Sequence, residues 1–407
     1  MIIQQRVKDF ENLGFGMFVH FGLYSVRGQG EWSYHLHNLT PPEYEPLATQ
    51  FHPHVDWAKK LVAAAKGAGC KYITLTTRHH DGFSLYDTCG LTDYDAPHFC
   101  GRDLIREFVD ACNAQGIIPF FYHTLLDWRE PSYKEDFPAY LKYLRRSVEI
   151  LCTNYGKIGG LWFDGKWDKP NENWEEDELY GTIRKHQPEC IIINNTGLNA
   201  RGEAGHIELD SVTYERGMPT KMPDEAPKYL AGEMCEVMNT HWGYAAGDID
   251  YKSPAAMIRT LAGCRRYGAN LLLNLGPMGD GLVRPIDGCI LELVGKWVEL
   301  FEEAIRLPRP TYIDIENKPD DFLLKLDNTY YLFCDHLRAA GDSNVTIDGT
   351  DPYIDAFELP DTVKSITWMD TNEEVAFTQE GNKVSVQTVP FCYGRDTVIR
   401  VAKIVCE

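Results

Sequence analysis

The sequence predicts an α/β protein: a (β/α)8-like TIM barrel over residues 1–308, followed by an antiparallel β-sandwich over residues 309–407. Between residues 15 and 305, short apolar runs alternate about eight times with longer amphipathic stretches, as parallel strands joined by helical crossovers do. Eight such units in roughly 290 residues match the size of a closed barrel. No glycine-rich phosphate loop follows the first strand, which disfavours a doubly wound sheet. After Leu307-Pro308-Arg309-Pro310 the pattern changes to period-two alternation broken by turn residues, the mark of antiparallel strands.

The first strand is the apolar run between Gly14 and Gly22, and the amphipathic stretch 55–69 follows it. Residues 71–77 (KYITLTT) form the second strand, and 103–115 (DLIREFVDACNAQ) carries a helical pattern. The third strand is 117–123 (IIPFFYH) with a helix over 140–155; the fourth is 160–164 (GLWFD) with a helix over 175–186. Weaker runs at 190–195, 211–215 and 233–238 supply strands five to seven. A helix over 253–267, the strand 270–275 (NLLLNL) and a closing helix over 288–305 complete the barrel. Beyond it, TYIDIEN, DFLLKLDNTYYLFCD, NVTIDG, DAFELP, VKSITWM, VAFTQEGNKVSVQTV and DTVIRVAKIV are expected as strands, with a hairpin at Gly381-Asn382.

Composition excludes several functions. Sixty acidic against 40 basic residues leave a formal charge of −20, which argues against a polyanionic partner such as nucleic acid. No run of 18 apolar residues offers a membrane span. The N-terminal stretch lacks a basic start, an apolar core and a cleavage site, so a cytoplasmic location is expected. Twelve scattered cysteines without a C-x-x-C pair are expected to be free thiols, not zinc ligands or disulfides.

Barrel enzymes place working residues where strands end. The first strand ends at His20, the second runs into Arg78-His79-His80-Asp81-Gly82, and the third ends at His123. The fourth ends at Trp162-Phe163-Asp164-Gly165, the sixth at Glu215 and the eighth at Asn274. Asp-Gly commonly closes a strand, yet Asp164 follows two aromatics, where partial desolvation suits a nucleophilic or acid/base carboxylate. Glu215 competes with Glu203, Glu208, Glu233 and Glu236 for a second carboxyl role. His79, His80 and Asp81, with His20 and His123, could ligate zinc or iron. Adjacent residues at a strand end cannot both point inward unless the chain turns, so donors to a polyhydroxylated ligand are the favoured reading. Trp32, Trp162, Trp167 and Trp242 are either core fillers or flat surfaces for sugar C–H faces, with Glu31-Trp32 offering a polar and an apolar contact together.

Four motifs resemble the α-L-fucosidases of glycoside hydrolase family 29: Phe15–Gly22 (FGMFVHFG) with Glu31-Trp32, Arg78–Phe83 (RHHDGF), Leu161–Gly165 (LWFDG) and Ala269–Gly281 (ANLLLNLGPMGDG). They stand in that family's order and span nearly the whole expected barrel. The resemblance implies a (β/α)8-like barrel with a β-sandwich and a retaining exo-fucosidase acting on fucosylated glycans without metal or cofactor. Asp164 matches the family's nucleophile. Glu215, in Asp210–Glu215 (DSVTYE), matches the acid/base of one branch, with Glu233 as the alternative. His20, Glu31, Trp32, His79 and His80 match positions that bind fucose hydroxyls, Trp162 lies beside the nucleophile, and Arg201 corresponds to a fucose-contacting arginine. The stretch 236–244 (EVMNTHWGY) resembles the branch with broad linkage tolerance. Alternatives are a retaining glycosidase for a related sugar such as an α-L-galactoside, and a catalytically silent fucose-binding protein.

Overall fold

Strands form where the chain is apolar and β-branched, and eight of them close a barrel in a computed structural model that describes residues 3–221, 228–342, 344–346 and 349–407. They are β1 (Phe15–Val19), β2 (Tyr72–Arg78), β3 (Ile118–Thr124), β4 (Gly160–Asp164), β5 (Ile191–Asn194), β6 (Ser211–Glu215), β7 (Ala231–Val237) and β8 (Asn270–Leu275). Neighbours pair in parallel, and β8 returns to β1 with Phe15 opposite Leu271. Nearly every strand residue is buried, because a parallel sheet covered by helices meets apolar surroundings on both faces.

Outer helices are set by local signals. In the helix Trp57–Gly67 the buried residues Trp57, Ala58, Leu61, Val62 and Ala65 form one stripe at helical spacing. Asp103 caps the helix Leu104–Gln115 by accepting from Arg106 N–H, and Gly116 ends it at φ 72°. Asp136 caps Phe137–Asn154, and Ser253 caps Pro254–Arg266, by the same kind of bond; each is worth about 1 kcal/mol. Residues 195–210, between β5 and β6, contain no helix.

Inside the barrel, aromatic rings fill the space that glycines vacate. A Cβ on Gly16 would fall within the ring of Tyr72, and one on Gly160 within the ring of Phe120. The helix Gln5–Glu11, which the pattern reading left out, sets Phe10 against both rings at 5.5 and 5.7 Å and closes the lower end. Phe18, Tyr122 and Trp162 form the next layer up, beneath the C-terminal mouth.

Two compact units divide the chain, Met1–Lys252 with Ala269–Glu292, and Ser253–Gly268 with Leu293–Glu407. The second carries the sandwich. Its strands are β9 (Arg309–Pro310), β10 (Phe322–Leu326), β11 (Thr329–Cys334), β12 (Tyr353–Glu358), β13 (Val363–Trp368), β14 (Phe377–Glu380), β15 (Lys383–Thr388) and β16 (Arg400–Cys406). A five-stranded sheet in the order β13-β16-β11-β10-β9 and a three-stranded sheet β12-β15-β14 enclose Leu332, Phe357, Trp368, Val384, Val386 and Ile404. The Gly381-Asn382 hairpin is present, with Glu380 opposite Lys383 and Gly381 at φ 60°.

Two expected strands differ. TYIDIEN is irregular, because Tyr312 and Asn317 adopt φ 55° and 59°, and only Arg309–Pro310 before it pairs with β10. In NVTIDG, residues 344–346 form a turn closed by Val345 and Thr346 N–H bonds to Asp342 O, while 347–348 lie outside the described residues. Among the described residues no helix is long and apolar enough to cross a membrane.

Candidate active site

The mouth of the barrel opens into a cavity of about 570 Å³ lined by residues from several strand ends, among them His20, Glu31, Trp32, His79, Trp162, Asp164 and Glu215. This is the size range of small-molecule sites. The order of the strands explains the gathering. Tyr122 on β3 lies opposite Trp162 on β4, and Trp162 opposite Ile193 on β5, so the next residues of each strand reach one rim.

Asp164 ends β4 and accepts three bonds. Tyr122 OH donates to Oδ2 at 3.1 Å, while Trp167 Nε1–H and Asn195 Nδ2–H donate to Oδ1 at 3.0 and 3.2 Å. His80 Nε2 stands 3.5 Å from Oδ2. Burial pushes this carboxyl up, but His80, Trp167 and Asn195 outweigh it and hold the group below its ordinary value. Glu215 ends β6, and its Oε2 accepts from the same Asn195 Nδ2 at 2.9 Å. Burial first, then the charge of Asp164, raises this carboxyl; Asn195 and Arg216 offset only part of that. One amide nitrogen thus spans the two carboxylates and keeps its two acceptor oxygens within about 6 Å of each other, closer than the roughly 6.5–9.5 Å of inverting carboxyl pairs.

Two bonds of Asn274 set the tautomer of His20. Asn274 Nδ2 donates to Trp242 O at 2.7 Å, so its Oδ1 accepts from His20 Nδ1–H at 2.7 Å. His20 Nε2 is then a free acceptor, and burial holds the ring neutral by lowering its pKa to about 3. His79 is likewise pushed well below its ordinary value by burial, and its ring stacks on Tyr122 at 5.5 Å. His80 Nδ1 lies 2.7 Å from Thr124 Oγ1. Glu31 is buried, accepts Gly243 N–H at 2.7 Å, and is raised by that burial. Trp32 stacks on Trp167 at 5.9 Å, and Phe18, Trp162 and Trp242 present apolar surface to the cavity.

Other candidates lie elsewhere. Glu233 does not line the cavity; Tyr72 OH donates to one of its oxygens and Trp162 Nε1–H to the other at 2.9 Å, and burial raises it to about 7. Arg201 is exposed, with Nε donating to Glu215 O. Arg216 lines the cavity in its place, its guanidinium 5.1 Å from the Trp242 ring centre. His123 points out of the barrel, its Nδ1 and Nε2 each 2.7 Å from Thr124 O and Ser147 Oγ, so it cannot join His20 and His79 around one ion. Alternation explains this, since Phe120 and Tyr122 take the inward face and leave His123 the outward one. Asp81 accepts Tyr44 OH and Phe83 N–H in a turn completed by Gly82 at φ 77°.

Asn195, Tyr122 and Arg216 were missed by sequence reasoning. The doubled asparagine at the end of β5 marks a polar position at the rim without showing that it bridges two carboxylates, and no signal in the apolar run of β3 marks Tyr122.

A barrel mouth with one carboxyl held below its ordinary value and a neighbour pushed above it, among imidazoles and aromatic faces, is the arrangement expected of a glycoside hydrolase. The α-L-fucosidase family model matches residues 3–303, and the chain belongs to that family, glycoside hydrolase family 29. Tissue α-L-fucosidase of Mus musculus is 29% identical over 340 residues, covering 75% of this chain and 73% of its own. The Homo sapiens tissue enzyme is 28% identical over 347 residues, covering 75% and 70%. Among solved structures, α-L-fucosidase isoenzyme 1 from Paenibacillus thiaminolyticus superposes with a TM-score of 0.84 at 30% identity, covering 99% of both chains. A family 29 fucosidase from Bacteroides thetaiotaomicron shares the fold with a TM-score of 0.83 at 23% identity, covering 99% of this chain and 95% of its own.

Proposed function

We propose that this chain is a retaining exo-α-L-fucosidase that releases L-fucose from fucosylated oligosaccharides, with Asp164 as nucleophile and Glu215 as acid/base. The observation that carries the reading is the amide of Asn195 bonded to both carboxylates. An Asp164 oxygen attacks the anomeric carbon, and the glycosidic C–O bond breaks with its electron pair on the departing oxygen. Glu215 gives that oxygen a proton. Water then attacks the same carbon, surrenders a proton to Glu215 and releases fucose, returning Asp164 to the carboxylate.

The opposite pKa directions of the two groups suit these roles, since Asp164 must be charged while Glu215 is not. Glu233 is the weaker acid/base candidate because both its oxygens are committed to Tyr72 and Trp162 away from the cavity. His20 Nε2 accepts a sugar hydroxyl, and His79, His80 and Glu31 take others as the ring flattens toward the transition state. Trp32 and Trp162 cover apolar sugar faces, and Phe18 with Trp242 meets the C5 methyl. Arg216 is better placed than Arg201 to reach the sugar. Tolerance of several linkages is part of the proposal, as is a cytoplasmic location, which the twelve free cysteines support.

Hydrolysis of 4-nitrophenyl α-L-fucoside by the wild type and by Asp164→Gly tests the assignment. Turnover vanishes in the variant, and azide restores it with β-fucosyl azide as product. Equal turnover in the two proteins removes Asp164 from the reaction.

A further inference from the structure

The sandwich holds a group of side chains for which the barrel chemistry has no use. Asp321 precedes β10, His336 follows β11 and Asp355 lies within β12, so the three join the open end of the β10–β11 hairpin to the other sheet of the sandwich. His336 Nδ1 bonds to Asp321 Oδ2 at 2.5 Å, and the second Asp321 oxygen accepts Asp335 N–H at 2.8 Å. A carboxylate on Nδ1 places the imidazole proton there and turns the Nε2 lone pair toward Asp355 Oδ1, 3.8 Å away.

Those two atoms face each other as acceptors. The Asp355 side chain is 0% exposed, and neither its Oδ1 nor His336 Nε2 has a hydrogen-bond partner among the described residues. Thr388 Oγ1, on the adjoining strand β15, is a third buried atom in that condition. The other Asp355 oxygen accepts from Cys334 Sγ at 3.7 Å, and Thr388 is near enough to act on the same carboxyl. Leaving a buried carboxylate opposed to a lone pair costs free energy unless a positive charge stands between them. A proton does not close a 3.8 Å gap, which exceeds the usual N–H···O range of about 2.7–3.2 Å. A metal does: bonds of about 2.1 Å to each atom meet across that gap at an angle of roughly 130°.

We infer that His336 Nε2 and Asp355 Oδ1, with Asp321 orienting the imidazole, bind a divalent transition ion such as Zn²⁺ that ties the two sheets of the sandwich together. Thr388 and water complete the coordination. The nitrogen and carboxylate donors suit zinc better than calcium, which takes oxygen ligands throughout.

The test uses the full chain, treated with EDTA and with its exposed thiols Cys89, Cys289 and Cys392 blocked by iodoacetamide so that they do not compete for the ion. After equilibration with Zn²⁺ and gel filtration, wild type retains about one zinc per chain and melts several degrees higher than the stripped protein. Asp355→Asn and His336→Gln lose both effects. His336→Gln keeps an amide donor for Asp321, so the comparison stands if Asp355→Asn fails to fold. No zinc retained by wild type, or equal retention by either folded variant, overturns the proposal and leaves His336 as a link between two aspartates without a metal.

Discussion

Replacing Asn195 by Ala removes a group that touches both candidate catalytic carboxylates, and its effect can be worked out in advance. The side-chain nitrogen donates to Asp164 Oδ1 at 3.2 Å and to Glu215 Oε2 at 2.9 Å, and the residue is only 5% exposed. The bond to ionised Asp164 is worth about 1.5–3 kcal/mol and that to protonated Glu215 about 0.5–1.5 kcal/mol, and water entering the space recovers part of the sum. A net loss of about 3 kcal/mol lowers kcat/KM roughly a hundredfold. The pH profile moves as well. Asn195 lowers the pKa of both carboxyls, so without it both limbs shift to higher pH. Activity on the acid side fails as pH falls through the Asp164 pKa, and on the alkaline side as pH rises through that of Glu215. The assay is kcat/KM on 4-nitrophenyl α-L-fucoside across pH. Thr213→Val serves as the control, because Thr213 Oγ1 donates to the carbonyl oxygen of Asn195 at 3.1 Å and touches neither carboxylate. The control costs less and leaves both limbs in place. A loss under threefold in Asn195→Ala, with limbs unmoved, refutes the bridging role.

Trp167→Phe keeps a ring over the cavity but deletes the N–H bond to Asp164, so kcat falls about tenfold while KM changes little; steady-state kinetics checks this. Glu215→Ala loses far more activity on fucosides with poor leaving groups than on activated aryl fucosides, and equal losses on both point to another acid. Glu233→Gln places an amide donor against Tyr72 OH or Trp162 Nε1–H, so it lowers stability by about 1–3 kcal/mol in a denaturant titration. Gly16→Ala drives a methyl into the Tyr72 ring and costs about 1–3 kcal/mol by the same measurement.

The barrel was legible because its signals are local and repeated. A strand buried on both faces writes itself as a short apolar run, and a crossover helix as a stripe. Asp164 was readable for the same reason, being a carboxylate at the end of an aromatic strand. His123 shows where such reading stops. Both faces of β3 are apolar, so nothing in IIPFFYH reveals which parity turns inward, and the residue faces Ser147. Asn195 and Arg216 were illegible because their importance lies in contacts across strands: the amide matters through Asp164 and Glu215, and Arg216 through its place in the cavity wall. In the sandwich, TYIDIEN has the alternation of a strand, but left-handed residues at Tyr312 and Asn317 interrupt it, and propensity does not announce such conformations.

The helix-free stretch between β5 and β6 has a consequence for how this molecule can change. On the Asp164 side, the turn Lys166–Asp168 after β4 is tied back by the bond from Trp167 to Asp164 before the helix Glu176–His186 begins. Residues 195–210 hold no helix, and doubling the length of a loop costs only about 0.6 kcal/mol. That loop supplies Leu198 and Asn199 to the rim of the cavity. Chain can therefore be added or exchanged at that part of the rim without disturbing closure of the barrel. The strand ends that carry Asp164 and Glu215 are anchored in the barrel, while the stretch beyond Asn195 is open to revision.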